Sequence, residues 1–332
     1  MMGRLSHAVS CCTGFVLVAS SGCSLYFGDD SEHGTPGIAP DSAPPPPPDA
    51  ASAALAVDEP GIYEMAADAT HLYWVDDGQF DGEANVRRMP LDGGPIETLF
   101  SAGRSIYSLA VGDGAVFVAR TDLDYDGVIY RLPVAGGAPT VLATGFNPTS
   151  VTVDAGWVYY SAAVSPGGRI LRVPVTGGTP EVIVDDVDNP WDLVASGGTL
   201  FYSEMNRGQV MRVDPGGTPV VLASGWVGTG WLTVDAEFVY FSACDVSECP
   251  DPHLYRVPRA GGTPELLLTG GSLELKLAVA DDHLQWGSRV IPSAGGDDVI
   301  MPGDGYPIAV AATADAFYFA DFFTGAIYRS TL

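Results

Sequence analysis

The chain repeats a pattern of two short apolar segments joined by a Gly-Gly pair. One copy is Val128–Ala143 (VIYRLPVAGGAPTVLA); later copies occupy Arg169–Val184, Gln209–Ala223 and His253–Leu268, and an earlier one occupies Asn85–Phe100. Apolar segments of this length around a Gly-Gly pair are typical of β-hairpins, because the turn needs residues that tolerate positive φ. The pattern therefore predicts a hairpin that the chain forms repeatedly.

Each hairpin is preceded by two further predicted strands. The first carries an apolar residue that marks the repeat, and the second is apolar and aromatic, as in Leu72–Trp74 and Phe317–Phe319. The marker residues are Met65, Leu109, Val151, Leu193, Leu232, Leu277 and Val310. They are 44, 42, 42, 39, 45 and 33 residues apart. Units of four strands at this spacing are typical of the blades of a β-propeller.

The seventh unit ends after its third strand, and the segment that would complete it lies at the other end of the repeats. Ala53–Met65 has the apolar pattern of a fourth strand followed by a first strand. We expect Ala53–Val57 to pair beside Ala326–Ser330 and close the ring, which removes two open sheet edges. The predicted fold class is therefore all-β, a seven-bladed β-propeller of four-stranded blades over residues 53–332, with the last blade closed by the N-terminal strand.

The sixth unit leaves a six-bladed ring as the alternative. Leu277–Pro302 is the shortest of the units, and Gln285 stands where the second strands of the other units have an aromatic residue. If this unit does not form a full blade, the ring has six blades.

Residues 1–22 are predicted to be a secretory signal peptide. Arg4 precedes an apolar stretch centred on Gly14–Ala19, which is too short to span a membrane, and small residues follow it. The ending VASSGC is similar to the lipobox of bacterial lipoproteins, in which the cysteine becomes the lipidated first residue. This resemblance implies lipidation of Cys23, with simple cleavage and secretion as the alternative. Ser24 resembles the residue found there in lipoproteins exported to the outer membrane.

Residues 23–52 are predicted to be the lipidated cysteine and a disordered linker. Proline, glycine, alanine, serine and acidic residues dominate this segment, and Pro44–Pro48 favours an extended polyproline helix. The linker would hold the folded domain away from a membrane. We therefore expect an extracytoplasmic protein, lipid-anchored to the bacterial outer membrane, on its periplasmic face or at the cell surface.

The charge of the chain excludes one class of partner. The 41 acidic residues against 15 lysines and arginines give a formal net charge of −26, and Lys276 is the one lysine in the sequence. Such a charge repels phosphate backbones, so we expect no nucleic-acid partner. It leaves cations, basic peptides and neutral sugars as ligand classes.

Two cysteines lie within one predicted loop. Cys244 and Cys249 belong to the stretch CDVSEC, and no CxxC pair in the chain indicates a zinc site. In an oxidising compartment the two would form a short-loop disulfide, with two free thiols as the alternative.

The start of each first strand is expected to line the mouth of the central channel, because the first strand of a propeller blade is the innermost one. The residues predicted to form this ligand-binding rim are Tyr63, Glu64, Tyr107, Trp191, Asp192, Trp231 and Lys276. Polar groups that converge among aromatic side chains are typical of ligand pockets. The alternative is that Lys276 only pairs with Glu64 or Glu274 in an acidic rim.

A second candidate site is an acidic loop in the second unit. Asp122, Asp124 and Asp126 alternate and precede a glycine, as in the DxDxDG loop that binds calcium through oxygen ligands. Tyr130 and Pro133 occupy the ninth and twelfth positions, where the calcium loop has further ligands. Calcium is therefore one interpretation of these residues, and a solvated acidic turn is the other.

The best single repeat shows a family resemblance. Leu72–Asp76 (LYWVD), followed by Val86–Gly94 (VRRMPLDGG), resembles the YWTD-type propeller of the low-density-lipoprotein-receptor class. The resemblance implies a ligand-binding or scaffolding propeller, in a class that has six blades.

The functional expectation from the sequence is a tethered binding protein. No Ser/His/Asp arrangement and no phosphate-binding glycine loop stands out in the sequence. We therefore expect a monomeric, non-catalytic binding or scaffolding module for a protein, peptide or glycan, with no cofactor other than the calcium considered above. The alternative is a metal-dependent lyase or lactonase with its site at the channel mouth.

Overall fold

The computed structural model describes residues 54–56, 58–59, 61–76, 83–103, 106–121, 126–145, 147–162, 167–245, 252–271, 275–300 and 307–331. Within these residues the regular elements are 27 β-strands. No helix in this part of the chain has the length and apolar character needed to cross a bilayer.

The strands form seven antiparallel sheets, each built from consecutive strands. The first two sheets are β1 Ile62–Ala67, β2 His71–Asp76, β3 Asn85–Pro90 and β4 Glu97–Ser101, then β5 Ile106–Gly112, β6 Ala115–Thr121, β7 Gly127–Pro133 and β8 Thr140–Thr144. The next two are β9 Val151–Asp154, β10 Trp157–Ala162, β11 Gly168–Pro174 and β12 Glu181–Val187, then β13 Pro190–Ser196, β14 Thr199–Glu204, β15 Gln209–Val213 and β16 Val220–Ser224. The last three are β17 Gly228–Val234, β18 Phe238–Cys244, β19 His253–Pro258 and β20 Glu265–Thr269, then β21 Leu277–Ala280, β22 His283–Trp286, β23 Arg289–Pro292 and β24 Val299–Ile300, then β25 Pro307–Ala312, β26 Ala316–Asp321 and β27 Ile327–Thr331.

The seven sheets are the blades of a closed ring. The first strands β1, β5, β9, β13, β17, β21 and β25 each contact the next one along, and β25 contacts β1. The predicted seven-bladed β-propeller is therefore confirmed. The six-bladed alternative is wrong, because the sixth unit forms a sheet of four strands even though its outermost strand, β24, has only two residues.

The N-terminal segment closes the seventh blade. Leu55 donates its backbone N–H to the carbonyl of Ile327 at 2.7 Å, and Ile327 donates its own to the carbonyl of Ala56 at 3.0 Å. Leu55 and Ala56 also pack on the core between the seventh and first blades. The predicted pairing is confirmed at this point, while Ala53 and Val57 lie outside the described residues.

The core consists of apolar layers between adjacent blades rather than one central cluster. Phe117 of the second blade, for example, packs with Val158 and Tyr160 of the third. Each second strand is covered on both sides by neighbouring blades, which explains why its sequence is an unbroken apolar and aromatic run. The closed ring also leaves the seven first strands around a central cavity.

The Gly-Gly turns require glycine for a backbone reason. At the turn of the third blade, Gly177 and Gly178 have φ angles of 91° and 152°, which residues with a Cβ rarely adopt. The hairpin pattern in the sequence therefore reflects a turn that few other residue pairs can form.

Candidate functional site

Seven residues occupy the same position in the seven first strands, near one end of the central cavity. Each directly precedes the marker residue of its first strand, and they are Glu64, Ser108, Ser150, Asp192, Trp231, Lys276 and Ala309. The cavity has a volume of about 330 Å³. Six of these residues are polar or aromatic, and five of those line the cavity, namely Glu64, Ser108, Asp192, Trp231 and Lys276. We call this end of the cavity the channel mouth.

Buried polar side chains connect adjacent blades at the channel mouth. The hydroxyl of Ser108 accepts the backbone N–H of Val151 in the next blade at 3.2 Å. Ser150 accepts the N–H of Leu193 in the same way at 3.2 Å. Buried backbone donors need an acceptor, so these side chains help to fix the register between neighbouring blades.

Asp192 makes the strongest of these connections. One carboxylate oxygen accepts the N–H of Leu232 in the fifth blade at 2.8 Å, and the other accepts the N–H of Leu193 at 2.9 Å and the hydroxyl of Ser150 at 3.2 Å. The residue is 9% exposed. Burial raises its pKa, while the charge of Lys276 and these hydrogen bonds oppose the rise.

The ammonium of Lys276 forms an ion pair with the carboxylate of Glu64 across the channel mouth. The same ammonium lies 3.9 Å from the ring centroid of Trp231, a cation–π distance. Pairing with Glu64 is one of the alternatives that the sequence left open for Lys276; the other partner considered, Glu274, lies outside the described residues. The channel mouth therefore holds two buried carboxylates, one ammonium and one indole ring.

Glu64 also has a raised pKa at the channel mouth. Its pKa is raised to about 7, chiefly by burial and to a smaller extent by the charge of Asp192. The Lys276 ammonium and the backbone N–H of Leu109 lower it but do not cancel the rise. The physical reason is that burial disfavours the ionised carboxylate and the ammonium of Lys276 offsets only part of this penalty, so the group takes up a proton near neutral pH.

Aromatic side chains from the predicted rim lie outside this buried group. Trp191 is 36% exposed, and its ring meets that of Trp231 edge-on at a centroid distance of 5.9 Å. Tyr107 is 47% exposed. Tyr63 instead directs its hydroxyl to the carbonyl of Ile106 in the neighbouring blade. The structure thus brings Glu64, Asp192, Trp231 and Lys276 together, places Trp191 beside them, and leaves Tyr107 at the surface.

Sequence reasoning missed the serines that position the first strands. Ser161, Ser203 and Ser242 are fully buried on second strands. Their hydroxyls accept the backbone N–H groups of Ser150, Asp192 and Trp231 at 2.9, 3.2 and 3.2 Å. The signal was present as a serine that follows the aromatic pair in VYYSA, LFYSE and VYFSA.

Several predicted sites lie wholly or partly outside the described residues. Asp122 and Asp124 lie outside the described residues, and Asp126 is exposed. Calcium binding at this loop therefore stays a prediction. Cys23 and Cys249 also lie outside the described residues. Cys244 is the last residue of β18 and is 2% exposed, and its disulfide with Cys249 stays a prediction. Among the described residues, no three His, Cys, Asp or Glu side chains are grouped as metal ligands would be.

No family model matches the chain, and no curated protein matches its sequence. Solved structures match it in fold. Virginiamycin B lyase from Staphylococcus aureus matches with a TM-score of 0.66 at 15% identity, over 85% of this chain and 98% of that one.

Two other matches come from different kinds of protein. A chain of a nidogen–laminin complex matches with a TM-score of 0.52 at 20% identity, over 66% of this chain and 89% of that one. TolB from Acinetobacter baumannii matches with a TM-score of 0.50 at 14% identity, over 77% and 65% respectively. At these identities the comparisons show the β-propeller fold alone.

Proposed function

We propose that this chain is a membrane-tethered, extracytoplasmic β-propeller that binds a segment of a protein, peptide or glycan at its channel mouth without catalysing a reaction. The observation that carries the proposal is the channel mouth itself, where exposed Trp191 packs against Trp231, whose ring faces the ammonium of the Lys276–Glu64 ion pair. Aromatic surface next to a few oriented polar groups supplies both contact area and specificity. The nidogen chain, which was crystallised with laminin, is a propeller of this fold in a binding context.

The location is part of the same proposal. Lipid on Cys23 would anchor the chain in the outer membrane, and the proline-rich residues 23–52 would hold the propeller away from the bilayer. Leu55 and Ala56, which pair with Ile327 of the seventh blade, follow soon after this linker. The anchor would therefore join the propeller at its closing blade.

Substitution of Trp191 by alanine tests the binding proposal. Wild-type protein is used to select ligands from a phage-displayed library of random dodecapeptides and from a glycan array. We expect Trp191→Ala to weaken the selected ligands about tenfold or more, because an aromatic side chain at the centre of a site carries much of the contact energy. Fluorescence anisotropy measures the affinities.

The matched control is Phe323→Ala, which removes another exposed aromatic side chain, at the turn between β26 and β27. This variant should bind the selected ligands within about twofold of wild type. If no ligand from either source depends on Trp191 while the variant stays folded by circular dichroism, the binding proposal is wrong.

A lyase is the second candidate function. The match with virginiamycin B lyase covers 98% of the lyase chain and 85% of this one. A carboxyl with a pKa of about 7, such as that of Glu64, also suits a general acid or base. An inactive form of that lyase was crystallised with quinupristin, which makes quinupristin the first compound to try. We expect mass spectrometry to show quinupristin unchanged after incubation with the protein and MgCl2 or ZnCl2. Conversion of quinupristin by the wild-type protein but not by Glu64→Gln would favour the lyase.

A further inference from the structure

The channel mouth carries more negative than positive charge. Glu64, Asp192 and Lys276 are the charged residues among the described ones that line the cavity, and both carboxylates are at least nine-tenths buried. Lys276 pairs directly with Glu64 and is also electrostatically coupled to Asp192. When both acids are ionised, which for Glu64 requires a pH above about 7, the group has one negative charge in excess. A buried excess of this kind favours a cationic partner, because water screens it only weakly.

The aromatic surface of the channel mouth already accommodates an ammonium. Lys276 places its Nζ atom 3.9 Å from the centroid of Trp231, between that ring and the carboxylate of Glu64. Trp191 packs edge-on against the same ring and is 36% exposed. Lys276 already covers the ring of Trp231, so the exposed ring of Trp191, which packs against Trp231, is the indole surface available to a cation that arrives from solution. The internal lysine demonstrates the chemistry that an external one would use.

The charge of the whole chain acts in the same direction. With a formal net charge of −26, the protein attracts cationic segments over a distance and repels acidic ones. The long-range attraction alone would not select a site. The cluster at the channel mouth supplies the selection, because there the excess charge and the aromatic surface coincide.

We infer that the segment bound at the channel mouth is a basic peptide, with a lysine ammonium or arginine guanidinium held on Trp191, next to Trp231, and attracted by the charges of Asp192 and Glu64. This inference rests on the proposed binding function and names its ligand class. Anionic peptides are disfavoured by the same charges. Neutral glycans gain the aromatic contact but not the electrostatic one.

The amino-acid composition of the selected dodecapeptides tests the inference first. Clones are selected on the wild-type protein, and those that also bind Trp191→Ala are discarded. The remaining peptides should be enriched in lysine and arginine. At pH 8 and in near-physiological salt, a synthetic copy of the strongest clone with its basic residue replaced by glutamine should bind about tenfold or more weakly.

Charge-changing variants of the protein separate the site from the general field. Glu64→Gln removes one ionisable group from the channel mouth at nearly constant shape, and it should weaken the basic peptide about fivefold or more at pH 8. Asp185→Ala, the matched control, removes an exposed carboxylate elsewhere and should leave the affinity unchanged. Equal effects of the two variants would show that only the net charge matters, and would overturn the inference.

The outcomes also distinguish this inference from the proposed function. Peptides or glycans that depend on Trp191 but lack basic groups would contradict the inference and leave the binding function standing. Absence of any Trp191-dependent ligand would contradict both.

Discussion

Replacement of Asp192 by alanine is expected to lower the free energy of unfolding by about 3 kcal/mol. The carboxylate accepts the backbone N–H groups of Leu193 and Leu232 and the hydroxyl of Ser150, and thus joins three blades at the channel mouth. Alanine would leave the N–H of Leu232 and the hydroxyl of Ser150 buried without this acceptor, whereas the N–H of Leu193 keeps the hydroxyl of Ser150 as its partner. The loss exceeds the gain from no longer burying a charge, because each donor left unsatisfied costs about 1–3 kcal/mol.

Urea unfolding monitored by tryptophan fluorescence measures this effect. Asp185→Ala is the matched control, because it removes an aspartate carboxylate that pairs with Arg169 at the surface. The control should unfold at the wild-type urea concentration within error. If Asp192→Ala shifted the midpoint no more than the control, the connection between blades would not contribute to stability.

Replacement of Glu64 by glutamine is expected to remove a pH dependence of stability near neutrality. The pKa of Glu64 rises from 4.5 in the unfolded chain to about 7 in the folded one. Between these values the folded state binds a proton that the unfolded state has released, so the contribution of this group to stability falls as pH rises. The shift corresponds to a decrease of about 3 kcal/mol across that window, complete once the pH exceeds 7.

The comparison between wild type and Glu64→Gln isolates this group from the other acids, which are common to both proteins. The free energy of unfolding is measured in urea at intervals from pH 4.5 to pH 8. The value for the variant minus the value for wild type should increase as pH rises. Parallel curves for the two proteins would mean that Lys276 holds Glu64 ionised throughout, contrary to the expectation.

The repeat pattern was sufficient to predict the ring, for a physical reason. Strands covered on both faces must be apolar along their whole length, and hairpin turns with positive φ must contain glycine, so both constraints are visible in the sequence. The closure by Leu55 and Ala56 followed from a missing strand in the last unit. The weak sixth blade was harder to predict, since Gln285 breaks the aromatic pattern while the backbone still pairs as in the other blades.

The candidate site was predicted only in part. Position in the first strand placed Glu64, Asp192, Trp231 and Lys276 at the channel mouth, because strand order in a blade determines which residues are innermost. The direction of each side chain was not available from that argument, so Tyr63, which turns to the carbonyl of Ile106, was counted with the rim. The hydrogen bonds between blades were also missed, since they join residues about 40 positions apart that no local motif connects.

The single lysine of the chain allows the most direct test of the binding site. Protein labelled with ¹⁵N only in lysine gives one side-chain resonance, from Lys276, whose ammonium touches Glu64 and faces Trp231. Addition of the strongest selected peptide, unlabelled, should shift this resonance progressively until the peptide saturates the protein. A peptide that binds with the same affinity by anisotropy but leaves the Lys276 signal unchanged would show that the ligand occupies another surface.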